Sequence, residues 1–135
     1  MTTQQLTLTL GWVIAYVDDP PAASDFYRRT FGLRAEFTSA DGSYAQLDTG
    51  STRLAFAAYP VGEHNFPGGV TRAANEGQPA NIELALVADD VDAAYARAVE
   101  AGCEGLAAPK DEPRGQRVAF VRDPFGTLVE LATPM

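Results

Sequence analysis

An α+β fold built from two copies of one β-α-β-β-β unit is what this 135-residue sequence predicts. Two observations predict it. The first is a repeat. Trp12-Val-Ile-Ala-Tyr-Val-Asp-Asp19 leads into a helix-like run that closes at Gly32, and Glu83-Leu-Ala-Leu-Val-Ala-Asp-Asp90 leads into another that closes at Gly102. The second is that short strand-like runs follow each helix-like run. Self-similarity of this kind in a short chain marks two copies of a supersecondary unit that share one core. Two half-sheets facing each other form a cup, a concavity of the sort in which small molecules bind, with the helices outside. A single domain is expected over 1–135: module one at about 5–60, a connection at 60–80 and module two at about 81–135.

Leu6-Thr-Leu-Thr-Leu-Gly-Trp-Val-Ile-Ala-Tyr-Val17 alternates and then turns continuously apolar, which reads as a strand entering a core. Leu8, Leu10, Trp12, Ile14 and Tyr16 share one face, and Val13, Ala15 and Val17 the other. Asp19 before Pro20-Pro21 is a helix start, an acidic cap with proline in the first turn. The helix should run to about Phe31 with Ala23, Phe26, Tyr27 and Thr30 inward, and Gly32 supplies a left-handed stop. Three strands follow: Leu33–Thr38, then Ser43–Asp48 after the Asp41-Gly42 hairpin signal, then Arg53–Tyr59. Residues 60–80 carry Pro60, Gly62, Pro67, Gly68, Gly69, Gly77 and Pro79, which reads as a long connection of a functional or mobile kind.

Module two repeats the order. Ile82–Ala88 is a strand, and Asp89 or Asp90 caps a helix with Val91, Ala94, Tyr95, Ala98 and Val99 inward. After Gly102 come a short strand at Gly105–Ala108, a loop at Pro109–Arg114 and a strand at Gln116–Arg122. Asp123-Pro124-Phe125-Gly126 is a turn with proline second and glycine fourth, and Thr127–Ala132 is the last strand.

Composition narrows the function classes. The chain is 46% hydrophobic and 21% charged, ordinary for a globular protein, and no apolar run reaches the roughly 18 residues of a membrane span. A net charge of −8 disfavours nucleic acid, whose binders need a basic face. Met1-Thr-Thr-Gln-Gln5 lacks the basic start and apolar core of a signal peptide, so a cytoplasmic location is expected. The lone Cys103 reads as a quiet structural thiol, and the lone His64 rules out sites that need two histidines. His64 also stands in the most turn-rich stretch, which argues against a Ser-His-Asp or Cys-His role.

Tyr16-Val-Asp-Asp-Pro-Pro-Ala-Ala-Ser-Asp-Phe-Tyr27 with Phe31-Gly32-Leu33 resembles the opening of the vicinal oxygen chelate superfamily, which includes glyoxalase I, extradiol dioxygenases and the fosfomycin- and bleomycin-resistance proteins. Val87-Ala-Asp-Asp-Val-Asp-Ala-Ala-Tyr95 is similar to its second module, and Gly115 through Glu130-Leu131 to its C-terminal signature. The resemblance implies two βαβββ modules paired within or across chains, a homodimer, and in the enzymes one metal held by the first and last strands of each module. Carried over position by position, the four ligand places are Trp12, Ala55, Glu83 and Glu130. An indole nitrogen is a donor only, and alanine has no ligand atom. Catalytic zinc takes at least three protein ligands, and non-haem iron takes two histidines and a carboxylate. Glyoxalase and dioxygenase chemistry is therefore not expected, and no cofactor is expected, although Glu83 and Glu130 could hold a hydrated divalent ion such as Mg²⁺.

The resemblance then points to a metal-independent binder of the bleomycin-resistance type, an antibiotic-resistance function, taking a small aromatic or cationic molecule. Trp12 is the expected stacking platform and Glu83 the polar anchor, with Glu130, Phe56 and Phe120 as further ligand-binding candidates. Tyr44 is a fourth aromatic of the region, and strand parity turns some of the four away. Arg53 or Arg117 is a possible internal partner for Glu83. Two alternatives stand beside this: a lyase- or isomerase-type enzyme using Glu83 and Glu130, and an interaction dimer whose cup is filled by side chains. His64 and Phe66 are lid candidates, although a solvated loop is the simpler reading. The Asp18-Asp19 and Asp89-Asp90 pairs are helix caps, not a catalytic dyad.

Overall fold

The computed structural model describes residues 5–135, so the part of the leader reading that rests on residues 1–4 lies outside it. Module one contains β1 (Trp12–Val17), α1 (Pro20–Phe31), β2 (Arg34–Thr38), β3 (Tyr44–Asp48) and β4 (Arg53–Ala58). A short α2 (Tyr59–Asn65) opens the connection. Module two contains β5 (Glu83–Val87), α3 (Val91–Glu100), β6 (Glu104–Asp111), β7 (Arg117–Arg122) and β8 (Leu128–Ala132). The two sheets have matching orders, β1-β4-β3-β2 and β5-β8-β7-β6, each with one parallel pair formed by its first and last strands. The fold is therefore α+β, two βαβββ modules.

The helix signals act as their chemistry requires. The Asp19 carboxylate accepts from Ala22 N at 3.2 Å, and Gly32 closes α1 at φ 71° with its N–H donating to Arg28 O. Asp90, rather than Asp89, caps α3 by accepting from Ala93 N at 3.0 Å. Ala23, Phe26, Tyr27 and Thr30 are all buried. On α3, Val91 and Ala98 are buried and Ala94 and Tyr95 pack on the core, but Val99 is 42% exposed. Val99 lies eight residues after Val91, so the 3.6-residue period has carried it round the helix.

Three boundaries differ from expectation. The first strand begins at Trp12, not Leu6: its ladder with β4 starts at the Trp12–Arg53 pair, and Leu6, Leu8 and Leu10 are 75%, 89% and 69% exposed. Residues 59–65 form about two helical turns, with Pro60 in the first turn where a missing N–H costs nothing. Finally, β6 runs on to Asp111 through Pro109, which an edge strand tolerates because one side of its backbone is unpaired.

One apolar core serves both modules. It joins α1 and the inner face of the first sheet to α3 and the inner face of the second. Phe26 meets Phe125 edge-on with ring centroids 5.8 Å apart. Tyr27 Oη donates to Asp123 Oδ2 at 2.5 Å, so the Asp-Pro-Phe-Gly turn of module two is bolted to the helix of module one. Asp123 Oδ1 also accepts from Phe125 N and Thr127 N, and burial pushes its carboxyl up. α1 and α3 lie on the core side, while α2 and Val70 reach only the Tyr16 end of the other face of the first sheet. Much of the outer faces is left open within the chain: Trp12, Ile14 and Phe37 on one are about half exposed, and Val87 on the other is 70% exposed.

Candidate functional site

The outer face of the first sheet is set by strand parity. Trp12, Ile14 and Tyr16 of β1 are level with Arg53, Ala55 and Ala57 of β4, and Gln46 and Tyr44 of β3 continue the rows. Gln46 is the hub of this face. Its Oε1 accepts from Trp12 Nε1 at 2.9 Å and from Tyr44 Oη at 2.6 Å, while its Nε2 donates to Glu36 Oε1. Arg53 Nε also donates to Glu36 Oε1, at 3.0 Å. The indole is thereby fixed at its polar edge while 53% of the residue faces solvent.

The second sheet carries the acidic half. Glu83 pairs in register with Leu128, and Glu130 with Ala85 on one side and Phe120 on the other, so Glu83, Glu130 and Phe120 project from one face. The carboxyls of Glu83 and Glu130 are within hydrogen-bonding reach of each other. That contact, then partial burial and the Glu83 charge, raise Glu130 to about 7, while Arg114 pulls in the opposite direction. At neutral pH the Glu130 carboxyl is therefore protonated for part of the time.

The structure brings together Glu83, Glu130 and Phe120 on one sheet, and Trp12 and Tyr44 on the other. Phe56 does not join them. It is fully buried on the opposite face of β4, against Tyr27, because it alternates with Ala55 and Ala57. Neither arginine offered as a partner for Glu83 serves it: Arg53 pairs with Glu36, and Arg117 with Asp92 and Asp111. Gln46 and Glu36 were missed, although a glutamine amid Tyr44-Ala-Gln-Leu-Asp48 was a visible polar interruption.

The four positions that the resemblance assigns to metal ligands carry two carboxylates. Trp12 and Ala55 supply no ligand atom, which leaves two carboxylates, and among the described residues no group of three or more His, Cys, Asp or Glu side chains converges.

Two cavities are lined by residues of both β1 and β5. One of about 410 Å³ lies between Arg53, Leu54 and Val13 on one side and Glu83–Val87 on the other. One of about 540 Å³ lies beside Ile14–Tyr16 and Ile82, roofed by residues 70–74 of the connection. Val13 and Leu84, equivalent in the repeat, line both. The roof is held at both ends. Arg72 pairs with Asp18 at 2.9 Å and lies 4.1 Å over the Tyr59 ring, and the buried Arg122 donates to Ala74 O and Gly77 O. The roofing residues are thus Val70–Ala74, whereas His64 and Phe66 are exposed and line neither cavity. Cys103 is buried, and its thiol is pushed up to about 12 by burial and by Asp123.

Among the described residues no helix is long and apolar enough to cross a membrane. The chain is 33% identical over 130 residues to the anthracycline biosynthesis protein DnrV of Streptomyces peucetius, a match covering 91% of this chain and 42% of that protein. It therefore spans less than half the length of that relative. A protein of Mycobacterium tuberculosis, Rv0887c, is 31% identical, with 88% of this chain and 71% of that protein covered. Among solved structures, TioX from Micromonospora sp. ML1 is 27% identical with a TM-score of 0.67, covering 94% of this chain and 99% of that one. A glyoxalase/bleomycin resistance protein/dioxygenase family enzyme from Burkholderia phytofirmans PsJN shares the fold at 23% identity with a TM-score of 0.77, covering 95% and 100%. The family model matches residues 9–131, and the chain belongs to the Glyoxalase/Bleomycin resistance protein/Dioxygenase superfamily.

Proposed function

We propose that this protein binds a small, flat, aromatic or cationic molecule without the help of a metal, in the cytoplasm. The observation that carries the reading is Trp12. It stands at a family metal-ligand position, its polar edge is tied down by Gln46, and about half of it is open to solvent. A fixed aromatic ring with a free face gives contact area at little cost in side-chain entropy. Glu83 and Glu130 supply an acidic counterpart that suits a cation or a hydrogen-bond donor on the ligand. The likeness to a protein of anthracycline biosynthesis agrees with a planar polycyclic ligand class.

A second copy of the chain completes the site. One chain leaves both sheet faces partly exposed, and apposing the Trp12 face of one copy to the Glu83–Glu130 face of another gives the aromatic-and-acidic cup that the repeat implies. The test is calorimetric titration with an anthracycline and with an acridine dye. Saturable binding should be lost in Trp12→Ala and weakened at least about tenfold, or roughly 1.4 kcal/mol, in Glu83→Gln. Binding untouched by Trp12→Ala, or no binding of either probe, overturns the reading.

The raised carboxyl of Glu130 favours one second reading, a proton-transferring lyase or isomerase in which Glu130 is acid or base and Glu83 sets its proton affinity. Such an enzyme would show a pH–rate profile that breaks near 7 and moves in Glu83→Gln. Turnover with no such movement excludes this mechanism.

A further inference from the structure

We propose that the roofed cavity of about 540 Å³ is a second binding site, for an uncharged and mainly apolar molecule that carries a hydroxyl, carbonyl or N–H group. It is separate from the stacking platform, since Trp12, Glu83 and Glu130 do not line it. Its volume is that of a small-molecule pocket, for which the range is about 300–1,000 Å³.

The lining sets the ligand class. Two neighbouring cavities each carry an acid and a base: Glu83 and Arg53 line the one of about 410 Å³, and Asp90 and Arg97 line one of about 300 Å³. The roofed cavity has a single charged side chain in its lining, Arg72. That guanidinium is already committed, to Asp18 at 2.9 Å and to the Tyr59 ring at 4.1 Å. A charged ligand would give up its hydration here with no free counter-charge to replace it. Val13, Ile14, Ala15, Val70, Ile82 and Leu84 supply an apolar wall. Gln78 and Asn81 add two side-chain amides, each able to donate and to accept, which suits a neutral polar group on the ligand.

The roof is built to stay in place. Ala73 N donates to Tyr59 Oη at 3.1 Å, and Arg122, only 2% exposed, donates to Ala74 O and Gly77 O. Two glycines let the segment come close to its supports. A Cβ on Gly62 would stand 3.1 Å from Val70 Cγ1, and one on Gly126 would stand 2.6 Å from Ala73 Cβ. Module one and α2 thus hold one end of the segment, and module two holds the other. It is held over a space that the side chains of the chain do not fill, with Ile14 and Ile82 on its walls still 46% and 71% exposed. Covering that apolar surface is what a bound apolar molecule contributes.

The probe is N-phenyl-1-naphthylamine, an uncharged dye with one N–H whose emission rises in apolar surroundings, with equilibrium dialysis for the stoichiometry. One dye should bind per chain. Thr71→Trp and Ala80→Trp place a bulky ring in the cavity from exposed positions, and each should weaken uptake at least about tenfold. Trp12→Ala and Glu83→Gln should leave uptake unchanged, so this site stands or falls independently of the stacking platform. Uptake lost in a folded Trp12→Ala protein puts the dye on the sheet face and overturns the proposal. Uptake that survives both filled variants, or no uptake at all, also overturns it. Uptake that appears only in Leu8→Asp would mean that residues 6–10 fill the cavity in place of a ligand, which refutes it as well.

Discussion

Replacing Glu83 with glutamine removes the group that holds the Glu130 carboxyl at about 7. Both contributions from Glu83, the shared hydrogen bond and the charge, disappear, and only burial and the opposed effects of Glu112 and Arg114 act on Glu130. The Glu130 value should fall most of the way back toward the ordinary 4.5. The sign for stability follows from proton linkage. With its value raised in the folded state, Glu130 binds more protons folded than unfolded between about 4.5 and 7, so stability declines as pH rises through that window. The full gap corresponds to roughly 3 kcal/mol at about 1.36 kcal/mol per pH unit, and solvent screening at this partly exposed position reduces it to about 1–2 kcal/mol. Urea denaturation from pH 4.5 to 8 measures it. Glu83→Gln should match the parent near pH 4.5 and exceed it by about 1–2 kcal/mol at pH 8. Asp123, also raised, is common to both proteins and drops out of the difference. Parallel curves would show that Glu83 does not raise the Glu130 carboxyl.

Three other outcomes follow from the geometry. Tyr27→Phe deletes the hydroxyl that donates to buried Asp123 and should cost about 1.5–3 kcal/mol, read by denaturation; an unaffected midpoint would mean that the modules are held by apolar packing alone. Gly126 sits at φ 92°, and an added Cβ would fall 2.6 Å from Ala73 Cβ, so Gly126→Ala should destabilise by about 2–4 kcal/mol and expose residues 70–77 to proteolysis. Gln46→Leu removes the acceptor of the indole N–H; the Trp12 emission should shift and its anisotropy should fall, whereas an unchanged spectrum would show that Gln46 does not fix the ring.

The fold was legible because its signals are local. Asp19, Gly32, Asp90 and the Asp123–Gly126 turn each satisfy backbone groups within a few residues, and the 3.6-residue period marked the inner face of α1. Long-range facts were less visible. The alternation of Leu6–Leu10 is a true strand pattern, but a strand also needs a neighbour, and the ladder with β4 starts only at Trp12. The same division holds at the site. Trp12, Glu83 and Glu130 were singled out through the family resemblance, and parity within β4 was enough to turn Phe56 inward once Ala55 and Ala57 were on the outer face. The Gln46 hub was hidden because it joins β1, β2, β3 and, through Glu36, Arg53 of β4, whose mutual register no single segment encodes.

The central claim is that a fixed Trp12 has taken the place of a metal ligand. Trp12 is the only tryptophan, so its emission reports the site directly. The decisive measurement is titration of chelator-treated protein with an anthracycline while following that emission, repeated with added Mg²⁺, Zn²⁺ or Fe²⁺. The account predicts the same saturable quenching with and without metal. Quenching that appears only when a divalent ion is restored, or a Trp12 signal indifferent to the ligand, would contradict it.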